Sequence, residues 1–153
     1  MTDSEKLMVA CRQAAKAYKA GEIPIGAAVF CGDNLVALAR NRISERKDPT
    51  AHAELLAIRE ATETIGNERL TDCELFTTLE PCMMCSGAII FARLKRVVYI
   101  ARDEKMPALR NLLMLPGHNH YPAIEQQPGS CRASLLLSRF FRERRRKRKS
   151  DSA

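Results

Sequence analysis

No stretch of this chain stays apolar for long. The strictly apolar runs, Ala88 to Ala92 among them, fall far short of the roughly 20 residues a membrane-spanning helix needs. The N-terminal Met-Thr-Asp-Ser-Glu-Lys brings acids early and lacks an apolar core segment, so no secretory signal is expected and the cytoplasm is the expected compartment. There is no internal repeat, and only about the last dozen residues are compositionally biased. Without a secretion signal, the six cysteines are not expected to form a disulfide framework. Only Cys82 and Cys85 stand at metal-ligand spacing; Cys11, Cys31, Cys73 and Cys131 read as buried apolar fillers.

What is there fits one soluble domain. Apolar residues make up 46% and charged residues 28% of 153, which excludes disorder over most of the chain. A domain of this size buries roughly 68–70% of the surface its unfolded chain exposes. The net charge of +7 is concentrated at one end. Residues 1–138 carry 17 basic and 16 acidic groups, whereas residues 139–149 carry eight basic groups and one acidic. Residues 1–138 therefore read as the body and 139–153 as a basic helix end and tail of the same domain. Such an arm suits a polyanion, most often nucleic acid, although a solvated tail has the same composition.

The periodicities predict a first helix over 4–20, closed by Gly21, and a hairpin of Ile25–Cys31 with Leu35–Ala39 about Gly32-Asp33-Asn34. Asp48-Pro49-Thr50 signals a helix start, with Gly66-Asn67 as its stop after Ile65. Glu74–Leu79 and Arg96–Ala101 read as buried strands flanking a helix that Pro81 opens and that runs to about Arg93. A short helix is expected around Leu109, Leu112 and Leu113, and an edge strand over Tyr121–Gln126, because Pro122 cannot sit centrally. Ser130 to about Lys147 predicts a long last helix with Leu135, Leu136, Phe140 and Phe141 inward. A hairpin followed by strand–helix–strand alternation gives an α/β domain, a mixed sheet with helices on both faces.

Two short motifs bear chemistry: His52-Ala53-Glu54 and Pro81-Cys82-Met83-Met84-Cys85, each at the expected start of a helix. Alone, each is weak. Together, one imidazole and two thiols form a donor set for zinc that leaves a fourth position open. On a regular helix, residues two apart point about 200° apart. His52 and Glu54 can therefore share a pocket only if His52 sits at the helix entry, and the metal then lies at helix N-termini, whose positive ends favour thiolate. Two thiolates already neutralise a divalent ion, so a carboxylate that moves protons beside it is useful; Glu54 fits, being close to a ligand and not needed as one. Such an apparatus suits hydrolytic displacement of an amine from a ring carbon.

The pattern His-x-Glu followed by Pro-Cys-x-x-Cys resembles the zinc-dependent nucleobase deaminase superfamily. The flanks Glu22-Ile23-Pro24-Ile25-Gly26-Ala27, Arg40-Asn41-Arg42, Asp48-Pro49-Thr50-Ala51, Leu79-Glu80, Ser86-Gly87-Ala88, Ala101-Arg102-Asp103 and Phe140-Phe141-Arg142 look like the bacterial tRNA-specific adenosine deaminases, over roughly residues 4–148. The resemblance implies a three-layer α/β/α, cytidine-deaminase-like fold with a five-stranded mixed sheet. It implies a hydrolase that acts on the C–N bond of a cyclic amidine and converts adenosine to inosine at the wobble position of a tRNA anticodon loop. By the same resemblance, His52, Cys82 and Cys85 hold one zinc ion per subunit, Glu54 shuttles the proton, and the protein is a homodimer that binds the anticodon stem-loop. Asn41 matches a position that touches the flipped nucleoside, Ile25 one that lines the base pocket, and Asp103 one near the substrate backbone. Each has a plainer reading: Asn41 closing a turn, Ile25 as core, Asp103 as a helix cap. The chain departs from the family at Met106-Pro107-Ala108-Leu109-Arg110-Asn111, where glycines are usual, and is shorter at Gly129-Ser130-Cys131-Arg132.

Two other functions fit parts of this pattern. A deaminase of a free base or nucleoside, of guanine or cytosine type, shares the site but needs no basic arm. A non-catalytic zinc and RNA-binding module needs a fourth ligand, for which Cys73, His118 and His120 are the candidates. Outside that module reading, the two histidines of Pro-Gly-His-Asn-His read as loop packing or as RNA contacts.

Overall fold

The computed structural model describes residues 1–129 and 131–153. Helix α1 (Asp3–Lys19) opens on a capping box: the Thr2 hydroxyl accepts the Glu5 N–H at 3.3 Å and the Glu5 carboxylate accepts the Thr2 N–H at 2.7 Å. Its buried face is Leu7, Ala10, Cys11, Ala14 and Ala17, at the three- and four-residue spacing of a helix. Strands β1 (Gly26–Cys31) and β2 (Asn34–Arg40) form the expected antiparallel hairpin. A four-residue helix, α2 (Ile43–Arg46), lies between β2 and Asp48, where the sequence assigns no element.

Helix α3 (Ala53–Ile65) starts later than its sequence signal. Asp48 Oδ1 accepts both the Thr50 N–H (2.8 Å) and its hydroxyl (2.7 Å), so Asp48-Pro49-Thr50 makes a side-chain-closed turn and the backbone is still extended at His52. The helix stops at Gly66, whose φ of 72° a residue with a Cβ adopts only at a cost. Strand β3 (Cys73–Leu79), helix α4 (Met83–Phe91) and strand β4 (Arg96–Ala101) follow. Here too the helix begins after its signal: Cys82 is extended and caps α4, which puts Pro81 outside it. Helix α5 (Ala108–Leu113) occupies the segment that departs from the family pattern. Strand β5 (Ala123–Gln126) is the edge strand, and Pro122, lacking an N–H, lies just before its first paired residue. Helix α6 (Ala133–Asp151) closes the chain; Ser130, where the sequence places its start, lies outside the described residues.

The sheet order is β2-β1-β3-β4-β5, with β1 antiparallel to both neighbours and β3, β4 and β5 parallel. One apolar cluster joins Val29, Leu75 and Val97 of one sheet face to Ala57, Ile58 and Ala61 of α3, Ile89 of α4 and Leu109 of α5. The other joins Ala28, Phe30, Phe76 and Val98 of the opposite face to Leu7 and Cys11 of α1 and Ala133 of α6. The strands alternate between these clusters residue by residue, so the sheet is covered on both faces in the expected three layers.

Two expectations fail at the α1–α6 contact. Cys11 and Cys131 are not separate fillers but form a disulfide, 120 residues apart in sequence. Their spacing gives no sign of it, because the pairing depends on α6 folding back over α1. Leu135 and Phe141 are 66% and 41% exposed, against 8% for Phe140. The inward stripe of α6 is Ala133, Leu137 and Phe140, set by Ala133 and Leu137 entering the two clusters; Leu135 and Phe141 fall off that stripe. Cys73 is buried as expected, whereas Cys31, its partner across β1 and β3, is half-exposed.

Candidate active site

His52 and Cys82 are the N-caps of α3 and α4, and each helix follows a segment leaving the sheet. A residue two past the cap of α3 and one three past the cap of α4 then turn inward: Glu54, 2% exposed, and Cys85, fully buried. One ligand atom from each of His52, Cys82 and Cys85 lies within 4.8 Å of the other two. Cys82 Sγ is 3.6 Å from His52 Nδ1, and the Cys85 thiol donates to Glu54 Oε2 at 3.8 Å. The expected helix-entry geometry is therefore present, with Glu54 beside the three donors.

The electrostatics follow from burial and these contacts. Burial pushes the Glu54 carboxyl up to about 7. The adjacent Cys85 sulfur draws Cys82 down to about 4, with His52 adding to the effect against burial. The Cys85 thiol is pushed up by its closeness to Cys82 and by its burial, and His52 is raised chiefly by its bond to Cys82. A cation replaces these shared protons, since its ligands must be thiolate and neutral imidazole. Two sulfurs and one nitrogen match the donor preference of zinc, and among the described residues no fourth side chain joins the group.

The frame around the site uses residues outside the two metal motifs' donor positions. The Ser86 hydroxyl, fully buried, donates to the Cys82 carbonyl at 2.7 Å and fixes the first turn of α4. Asn41, 1% exposed, accepts the Ala53 N–H on its Oδ1 at 2.8 Å and so satisfies the exposed donor at the start of α3. Its backbone N–H pairs with the Ile25 carbonyl at 3.1 Å, which places Ile25, 7% exposed, beside it. Asn41 thus closes more than a turn: it couples the β1–β2 end to the helix that bears His52 and Glu54. Asp103 lies apart from the three donors. Its Oδ1 accepts the Lys105 and Met106 N–H groups at 3.1 Å each, and its own N–H reaches Glu80 Oε2 at 3.3 Å.

The candidates for a fourth ligand are occupied elsewhere. Cys73 begins β3, at the end opposite to Cys82, and faces Cys31. His118 and His120 use Nε2 on the carbonyls of Leu112 (2.8 Å) and Leu94 (2.6 Å), the contacts expected of loop packing. The basic end is in place on α6, where the Glu143 carboxylate is held by Arg139 and the Tyr18 hydroxyl.

Comparison with known proteins identifies the family. The MafB19-like deaminase family model matches residues 1–145. The chain is 42% identical over 142 residues to the tRNA-specific adenosine deaminase of Aquifex aeolicus (strain VF5), covering 91% of this chain and 93% of that one. It is 38% identical over 154 residues to the enzyme of that name from Bacillus subtilis (strain 168), covering 98% and 96%. Among solved structures, a tRNA:A34 deaminase studied for A-to-I editing at the wobble position superposes with a TM-score of 0.83 at 36% identity, over 87% of this chain and 99% of that one. A guanine deaminase from Bacillus subtilis superposes at 0.65 with 31% identity, over 91% and 94%. With a deaminase model spanning nearly all of it and such relatives along its length, the chain belongs to the MafB19-like deaminase family, in the branch of the tRNA-specific adenosine deaminases.

Proposed function

We propose that this protein hydrolytically deaminates adenosine to inosine at the wobble position of a tRNA anticodon loop, using one zinc ion per subunit. The observation that carries this reading is the convergence of His52, Cys82 and Cys85 beside the buried Glu54, in a chain whose relatives bear the tRNA-specific name. His52, Cys82 and Cys85 hold the ion, which when bound supplies the Lewis acidity that makes water nucleophilic near neutral pH. Glu54 accepts a proton from water at its carboxylate and returns protons to the departing nitrogen. Water's oxygen ends on C6 of the base and the amine leaves as ammonia. Burial raises the Glu54 carboxyl above its ordinary value, the direction that favours a group able both to take and to return a proton. Ile25 bounds the base pocket, Asn41 contacts the extruded nucleoside while holding the start of α3, and Asp103 lies beside the substrate backbone.

The anticodon loop is a favourable substrate because its bases are already unpaired, so extrusion costs least there. Residues 1–138 form the catalytic body, and residues 139–153 of the same domain grip the RNA. That boundary is one of charge, since α6 runs through it unbroken. A homodimer is the assembly this reading implies. Its support is an exposed apolar surface on α4 and around α5: Met83, Phe91, Met106, Met114 and Leu115 are 63%, 84%, 61%, 83% and 55% exposed. No helix among the described residues is long and apolar enough to cross a membrane. A tRNA substrate supports a cytoplasmic place of action.

The guanine-type alternative shares the donors, but it gives no purpose to the basic end of α6. Incubating the purified protein with an adenosine-bearing anticodon stem-loop and, separately, with adenine, adenosine, guanine and cytidine decides between them. The expected result is replacement of the amine by oxygen in the stem-loop alone, read by mass. Conversion of guanine at a comparable rate overturns the assignment to tRNA.

A further inference from the structure

Glu80 is 1% exposed, and its Oε1 is, among the described residues, the buried side-chain oxygen or nitrogen with no hydrogen-bond partner. Its Oε2 accepts a single bond, from the Asp103 N–H at 3.3 Å. Its backbone N–H donates to the Ala101 carbonyl at 2.8 Å, which carries the β3–β4 pairing one residue past Leu79 and Ala101. A buried carboxylate with half its acceptor capacity unused is a poor choice for stability, since an apolar residue of similar length carries no such desolvation cost. What Glu80 does provide is an acceptor in one place, at the first turn after β4.

That turn matters by position. β3 and β4 are parallel, and their carboxyl ends lead, side by side, to Pro81-Cys82 and to Arg102-Asp103. Ligands of open α/β sheets bind at such ends. The segment after Asp103 returns to the metal motif: Met106 and Pro107 line a cavity of about 320 Å³ together with Met83, the neighbour of Cys82. Asp103 Oδ1 closes this segment on itself through the Lys105 and Met106 N–H groups, so its backbone anchor sets where the whole turn stands.

We infer that Glu80 is a positioning residue for RNA: through the Asp103 N–H it holds residues 102–107 at the mouth of the site, in register with the strand that delivers Cys82. The inference rests on the tRNA reading above and adds to it the group that orders the substrate-facing loop. Glu80 takes no part in the chemical step, so its removal raises KM and leaves kcat.

The test compares Glu80→Ala, Glu80→Asp and Glu80→Gln on the zinc-loaded protein with an anticodon stem-loop. Ala removes the acceptor and Asp withdraws it by one methylene; both are expected to raise KM at least fivefold, with kcat within twofold and zinc content unchanged. Gln keeps an acceptor at the same reach and is expected to restore KM to within twofold of the parent. Should the Ala variant fail to fold, the Asp and Gln pair bears the comparison. In an Asp103→Ala background, Glu80→Asp is expected to add less than twofold, because both act on one segment. Unchanged KM in the Asp variant, or a fall in kcat and zinc content with KM unchanged, overturns the inference. Amide hydrogen exchange reads the anchor without any activity: residues 103–106 are expected to exchange faster in the Asp variant than in the parent. Equal exchange rejects the positioning role. Slow exchange in a parent that deaminates no RNA instead rejects the tRNA reading and leaves the anchor standing.

Discussion

The two ends of this molecule are built on different terms. Up to β4 the chain is interior: the strands, α1, α3 and α4 supply nearly all buried apolar side chains, and the metal donors stand at two helix starts inside that frame. Beyond residue 101 the described buried residues of apolar type are Ala108, Leu109, Ala133 and Phe140, with Pro122. The other described residues of that stretch are half-buried or exposed, and most of the stretch's positive charge lies on the free turns of α6. Chemistry here needs groups fixed against one another and shielded from water, whereas grip on a polyanion needs charge in solvent. The chain separates the two but joins them along the β4–β5 pairing, through the Arg96–Glu125 and Tyr18–Glu143 contacts, and through the Glu80–Asp103 bond, the Cys11–Cys131 disulfide and the packing of Phe140 on Tyr18.

The strongest way to test that division is to remove chemistry from the interior without disturbing it. Glu54→Ala is expected to lower turnover by about 10²–10⁴-fold, the range of a lost general acid–base group, while zinc content by elemental analysis stays at one per chain. If the metal left with the side chain, Glu54 would belong to the ligand frame instead. The link between the halves comes next. Reducing the Cys11–Cys131 bridge, or replacing Cys11 by Ser, is expected to lower unfolding free energy in denaturant titration by about 2–4 kcal/mol, because the bond closes a very long loop. Turnover at saturating RNA should be unaffected.

Gly26 probes the interior from the opposite side. A Cβ there would lie 2.0 Å from the Ala10 carbonyl oxygen and 2.6 Å from the Ala14 nitrogen, both backbone atoms of α1. Gly26→Ala is therefore expected to cost at least the ~1–3 kcal/mol typical of overpacking, read as a lowered denaturation midpoint. The exterior half should answer in affinity instead. Truncation after Phe141 is expected to weaken stem-loop binding and to flatten its dependence on salt, each lost phosphate contact removing about 0.7–0.9 from the logarithmic slope. An unchanged slope would show that the arm does not touch RNA. The smallest effect is on acid stability. The hydrogen bond and charge of Arg96 hold the Asp3 carboxyl below its ordinary value. A carboxyl depressed in the folded state stabilises above its unfolded pKa and loses that contribution as pH falls through the folded one. Asp3→Asn should therefore lower the melting temperature slightly at neutral pH and leave it unchanged at the acid end, by calorimetry.

How much of this was legible beforehand varied with the kind of interaction. His52, Glu54, Cys82 and Cys85 are readable because their chemistry is local: each pair lies within four residues, and helical geometry alone requires the entry position that His52 occupies. The strands β1, β3 and β4 are readable because they are buried on both faces and rich in apolar residues. Helix starts are misread at Asp48-Pro49-Thr50 and at Pro81 for a common reason. At the first a side-chain-closed turn intervenes, and at the second Pro81 precedes an extended residue; in both the true cap is a residue of the chemical motif, His52 or Cys82, neither of which makes a side-chain capping bond. The exposed Leu135 and Phe141 could not be told from inward residues, since a helix presents several apolar stripes until a neighbour selects one.

Sequence by itself therefore determined which residues would converge at the candidate site, the class of fold and the charge asymmetry, all of which depend on residue type and short spacing. Only tertiary structure decided that Cys11 meets Cys131, that Asn41 caps the helix bearing the site, and that Glu80 reaches the backbone of Asp103. Those contacts join positions separated by 120, 12 and 23 residues. Chain composition does not encode such meetings locally; they exist because two sheet faces each have to be covered, and covering them brings distant segments together.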